Sequence, residues 1–150
     1  MEKHYTAAFA IAMAVTALAA PATAKDAKKG GAAHLLPAGD IKWSDVPGFP
    51  GVSLAVLEGD PAKGPHHSMM KFKEGFAAPL HHHSSDHFVT VVSGTLALTV
   101  DGKQTLLPSG SYFSFKGRKA HATACGPGGD CVITVDARGK WDVVPEKGAK

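Results

Sequence analysis

Between Val52 and Ala137 the sequence repeats one pattern. Short runs rich in Val, Leu, Thr and Phe are broken by Gly, Pro, Asp or Ser at intervals of roughly 8 to 12 residues. From Ile41 onward no stretch of helical periodicity exceeds about one turn. A chain written this way buries its apolar faces only by pairing strands, so the expected class is all-β. The strand-like segments are 52–59, 66–73, 87–94, 95–100, 103–108, 111–115, 121–125 and 131–137. In "TLALTVDGKQTLLP", Asp101-Gly102 suits the two positive-φ positions of a type I′ hairpin turn. "GPGGD" at 126–130 reads as the turn of a second hairpin. Alternation puts Leu96, Leu98 and Val100 on one face, and Ser68, Met70 and Phe72 opposite Lys71 and Lys73. Short antiparallel strands of this number fit a jelly-roll barrel or a sandwich.

The N-terminal region has a different character. "MEKHY" precedes the apolar run "TAAFAIAMAVTALAA", Pro21 breaks it, and Ala22-Thr23-Ala24 offers a small-residue cleavage site. Residues 1–24 are therefore expected to be a signal peptide rather than a membrane anchor, with a periplasmic or secreted product. Residues 25–40 read as a flexible arm in which "HLLP" is a candidate edge strand or dimer contact, residues 41–145 as one domain, and 146–150 as a tail. The net charge of +3 is scattered along the chain, which gives no nucleic-acid footprint. Cys125 and Cys131 flank the "GPGGD" turn, and in an oxidising compartment a disulfide is expected between them. Their spacing is not that of a C-x-x-C redox pair.

The chemistry concentrates in "HHHSSDH", residues 81–87, which holds four of the nine histidines. It could be a metal site, a surface tract or a tag remnant, although a tag between two strands would be out of place. On a strand His81 and His83 share a face and His82 points away. "SSD" then turns the chain so that His87 re-enters. Converging neutral imidazoles suit a first-row divalent metal such as Fe, Mn, Zn or Ni, with a further ligand from another strand.

The spacing resembles that of the cupin superfamily, whose first motif is G-x5-H-x-H-x3,4-E-x6-G. Gly75, His81, His83, His87 and Gly94 fall at those positions, with His87 standing where the family usually has Glu. In the second motif, G-x5-P-x-G-x2-H-x3-N, the matching positions are Gly110, Lys116, Arg118, His121 and Cys125, so Pro, the second Gly and Asn are replaced. The resemblance implies a double-stranded β-helix, the jelly-roll barrel of cupins. It also implies a metal held by His81, His83, His87 and His121, a small-molecule ligand and a homodimer. "PGFPGVSLAVLEGDPAKGP" is similar to the entry strands of ChrR-like cupins, whose metal-bearing domain serves in stress sensing.

Strand parity suggests that Met70, Phe72, Val89, Phe113, Phe115 and Thr123 line the cavity, with Val91 and Cys125 beside them, although residues of these types are more often plain core. His82 reads as an exposed bystander, and His66 as a residue able to reach the cavity behind the ligands. No Asp or Glu falls clearly on the inward face, so an acid or base for catalysis has no evident owner. The functional expectation is an exported, metal-dependent, oxygenase-like enzyme on a small organic molecule. The alternatives are a non-catalytic binding or sensing module and a structural zinc site.

Overall fold

The computed structural model describes residues 31–147, so the leader at 1–24, the start of the arm and residues 148–150 lie outside the described residues. The chain divides into two units, Met1–Leu35 and Leu36–Lys150, and every described strand belongs to the second. Residues 31–37 form no regular structure, so "HLLP" is not a strand, and Ala38–Asp40 is a single 3₁₀ turn.

The strands are β1 (Ser44–Asp45), β2 (Val52–Gly59), β3 (His66–Phe72), β4 (Ala77–His82), β5 (His87–Ser93), β6 (Thr95–Val100), β7 (Lys103–Pro108), β8 (Tyr112–Phe115), β9 (His121–Cys125), β10 (Cys131–Ala137) and β11 (Val144–Pro145). They form two antiparallel sheets ordered β1-β2-β3-β10-β5-β8 and β11-β4-β9-β6-β7. This is the all-β jelly roll expected. Eight strands match the segments read from the sequence, and the β6–β7 hairpin turns on Asp101 and Gly102 at φ 50° and 75°. Three strands were not foreseen. β1 and β11 are two residues each, below any periodic signal, and β4, "AAPLHH", carries a proline and two alanines in place of β-branched residues.

The core lies between the sheets. Val52, Phe72, Val89, Val91, Ile133, Val135 and Ala137 of the first sheet pack with Leu96 and Cys125 of the second. Burial alternates along β10, as a strand with one inward face requires. Consecutive strands β5 and β6 belong to different sheets and are joined only by Gly94. Its φ is +77°, and a Cβ there would lie 2.9 Å from both the Asp130 carbonyl oxygen and Cys131 Cα. The tight corner therefore demands glycine on two counts.

"GPGGD" is not a hairpin turn. β9 pairs with β4 and β6, and β10 with β3 and β5, so the loop crosses from one sheet to the other. Cys125 and Cys131 are bonded at its two ends, with Cα atoms 5.7 Å apart, and the disulfide joins the sheets inside the core.

Candidate metal centre

The site forms at the end of the barrel where β4 leaves one sheet and β5 enters the other. His81 on β4 is the register partner of His121 on β9, which sets their rings 4.5 Å apart between centroids. His83 follows β4 by one residue, and its ring lies 5.0 Å from that of His81. His81, His83 and His121 each offer a ring nitrogen, and these atoms all lie within 4.8 Å of one another. His87, at the start of β5, stands just outside that set, its ring 4.9 Å from His83 and 6.0 Å from His121. It lines the same cavity as the other three.

The backbone determines which nitrogen of each ring is available. Nδ1 of His81 donates to the Pro79 carbonyl at 2.7 Å, His87 to Ser85 at 3.1 Å, His121 to Lys119 at 3.0 Å, and His83 to Asp142. A carbonyl oxygen only accepts, so Nδ1 carries the proton and Nε2 keeps its lone pair. All four side chains are buried, at 2–6% exposure. Burial pushes the His83 imidazole down to about 3 and that of His121 to about 4, and it lowers His81 and His87 as well. At neutral pH these are four uncharged imidazoles, the form in which histidine can bind a metal. The donor set fits a first-row divalent ion.

The segment after β10, which the sequence reading passed over, holds this arrangement in place. Arg138 N–H donates to the Asp86 carbonyl at 2.9 Å, and the Ser85 hydroxyl donates to the Lys140 carbonyl at 3.2 Å. Asp142 accepts from Ser84 N–H at 2.7 Å and from the Ser84 hydroxyl at 2.6 Å, while its carbonyl accepts from His83. Burial raises the Asp142 carboxyl, but these bonds and the nearby imidazoles outweigh it and hold the group below the usual carboxylate range. The "SSD" turn is thus fastened at every residue to segment 138–142. Trp141 stacks on His83 at 3.9 Å and meets His87 edge-on at 5.2 Å. A tryptophan amid polar residues in "RGKWDVV" was the one sequence signal for this segment.

The cavity beside the histidines has a volume of about 310 Å³. Of the expected wall residues, Met70, Phe72, Val89, Phe113 and Thr123 line it, joined by Phe49, Phe76, Ile133, Trp141 and others that were not foreseen. Phe115 does not line it. Its ring packs against two of the histidines instead, stacked on His121 at 4.4 Å and tilted against His87 at 5.6 Å. Val91 and Cys125 are core residues, not wall. His66 is buried against the Gly64 carbonyl and faces Trp141 at 6.0 Å without reaching the cavity. His82 is no exposed bystander either. It is half-buried, and its Nδ1 meets Glu146 Oε1 at 2.7 Å, tying β4 to the chain beyond β11.

Arg118, where the family motif has glycine, takes a glycine-like φ of 69°, and its N–H donates to the His83 carbonyl at 2.8 Å. Lys119 pairs with Asp101 at 2.8 Å, and neither cation lines the cavity. Next to Arg118, a Cβ on Gly117 would come within 2.3 Å of the Ser84 carbonyl oxygen.

A family model described as "Cupin domain" matches residues 68–135. Among solved structures, the polyketide cyclase RemF from Streptomyces resistomycificus is 21% identical, with 76% of this chain and 85% of that chain covered and a TM-score of 0.65. KdgF from Halomonas sp. is 20% identical over 71% of this chain and 94% of its own, with a TM-score of 0.60. A predicted oxalate decarboxylase from Thermotoga maritima is 17% identical over 70% and 98%, with a TM-score of 0.60. Identities this low establish a shared fold and nothing finer. No curated protein matches the sequence. The cupin-domain match from Ser68 to Val135, together with the barrel common to these structures, supports the cupin superfamily as this chain's family.

Proposed function

We propose that this protein binds a divalent transition metal (Fe, Mn, Zn or Ni) through His81, His83, His121 and His87, and acts as an exported, oxygenase-like enzyme on a small organic molecule. One observation carries the metal reading. Four buried imidazoles each commit Nδ1 to a backbone carbonyl, leaving four Nε2 lone pairs in one apolar cavity. Unprotonated imidazole nitrogens gathered in this way are the donors that a first-row divalent ion takes.

A divalent ion bound there supplies Lewis acidity toward oxygen ligands and, as Fe or Mn, redox capacity. The protein's own contribution is positional. The carbonyls of Pro79, Ser85, Lys119 and Asp142 aim the rings, Asp142 fastens the turn between His83 and His87, and Trp141 covers two of the imidazoles from water. Asp142 is the carboxylate on the cavity wall, and Ser84 engages both its oxygens, so it is placed for support rather than for proton transfer. The adjoining cavity favours a ligand-binding centre over a closed structural zinc. Export rests on the leader pattern of residues 1–24 and on the paired cysteines.

The test is metal analysis of tag-free protein, followed by oxygen uptake with diketones, phenols and hydroxy acids. One equivalent of metal and turnover of one of these classes is the expected result. Metal without turnover would favour the sensing alternative. Absence of bound metal after incubation with each candidate ion would overturn the proposal.

A further inference from the structure

Trp141, which stacks on His83, is gripped from a second direction by the turn between β2 and β3. That turn is closed by its own residues. Asp60 Oδ1 accepts from Ala62 N–H at 2.9 Å, and the Asp60 carbonyl accepts from Lys63 and Gly64 N–H at 3.0 Å each. Gly59 enters it at φ +80°, and a Cβ there would crowd the Pro65 carbonyl oxygen and lie 2.9 Å from His66 Cα, so glycine is what lets β2 end this close to the start of β3. Two contacts then reach Trp141. The Pro61 carbonyl accepts from Trp141 N–H at 2.8 Å, and the His66 ring meets the indole at 6.0 Å with the planes 89° apart, a favourable edge-to-face geometry.

His66 is itself held. It is 6% exposed, and its Nδ1 donates to the Gly64 carbonyl at 3.1 Å, which fixes the ring. The indole N–H of Trp141 is buried and meets no acceptor among the described residues, so ring packing and the backbone bond set where the indole lies. The same indole lies 3.9 Å from the His83 ring and 5.2 Å from that of His87. Any displacement of it moves the surface against which both imidazoles pack. We infer that His66 is a positioning residue for the histidine cluster, acting through Trp141, so that the turn at 60–65 sets the aim of His83 and His87. This role rests on the metal reading above, and the experiment separates the two.

The variants are His66→Leu and His66→Phe. Both fill the site and both lose the bond to Gly64, but only Phe keeps a ring against the indole. Zinc binding, measured by competition with a chelator, should weaken about tenfold in His66→Leu, the scale of other groups that orient metal ligands, and stay within about threefold of wild type in His66→Phe. Combining His66→Leu with Trp141→Ala should weaken zinc no further than Trp141→Ala alone, whereas independent losses would multiply. A second readout needs no metal. The stacked indole shifts the His83 ring C–H signal upfield in the NMR spectrum of metal-free protein, and His66→Leu should return that signal toward its ordinary position. Equal zinc affinities in the two His66 variants overturn the inference, as do multiplying losses in the double variant or an unmoved His83 signal in His66→Leu. Wild-type protein that fails to hold one equivalent of zinc overturns the metal centre instead, and the His83 signal then decides the positioning role by itself.

Discussion

Each imidazole at the centre has one nitrogen tied to the backbone and one left bare, and that division of labour makes single-residue changes informative. His121 and His81 are register partners within the close set of three, so His121→Ala should abolish stoichiometric metal binding. His87 lies at the margin of that set. His87→Ala should therefore retain metal with weakened affinity, and competition titration against a chelator distinguishes the two variants. Gly117 tests the turn from the opposite side. Because a Cβ there would meet the Ser84 carbonyl oxygen at 2.3 Å, Gly117→Ala should destabilise the protein by about 1–3 kcal/mol in urea unfolding. His81, His83 and His87 were legible in the sequence because their spacing is short and regular, whereas His121 was reached only through the family motif it falls in. Trp141 and Asp142 were not legible, since they lie more than 50 residues from the histidines they support and belong to no periodic segment.

At the level of elements, the decisive feature is the fastening of the 84–86 turn to segment 138–142. The turn joins a strand of one sheet to a strand of the other, so without an anchor its end residues His83 and His87 would be placed by a three-residue linker alone. Asp142→Ala removes the acceptor of two Ser84 bonds and is expected to lower metal affinity roughly 10–100-fold, in line with other groups that orient metal ligands. Asp142→Asn keeps one acceptor oxygen and should restore part of that loss. Metal titration together with amide exchange at residues 83–87 checks both effects, because loosening of the turn should accompany the loss of affinity. Strand periodicity located eight strands, whereas β4 escaped it. That strand contributes His81 and is held by its neighbours β9 and β11 rather than by its own propensity.

For the molecule as a whole, burying four neutral imidazoles makes stability depend on pH. Their folded-state pKa values lie below the ordinary 6.5, so below that pH the unfolded chain binds more protons than the folded one. The stabilisation is complete above about 6.5 and declines as pH falls toward 4 and 3, the values for His121 and His83. Metal-free protein should show its urea midpoint falling across that window. Added metal should raise the midpoint at neutral pH, by mass action on the folded state, and should steepen the acid decline because protons then compete for the same nitrogens. A midpoint independent of pH between 7 and 4 would contradict the burial of the four rings.

Local pattern was enough to establish the all-β class, the β6–β7 hairpin and the histidine spacing, because each depends on residues within one strand or turn of one another. Which sheet each strand joins was decided only in three dimensions, and "GPGGD" shows it. Its composition suits a tight hairpin, yet its flanking strands pair with other partners and the loop crosses the core. Tertiary structure likewise set three imidazoles close with a fourth beside them, put Trp141 on the cavity wall, and tied every Nδ1 to a backbone carbonyl. Those features depend on contacts between segments far apart in the chain, and no local periodicity encodes such contacts.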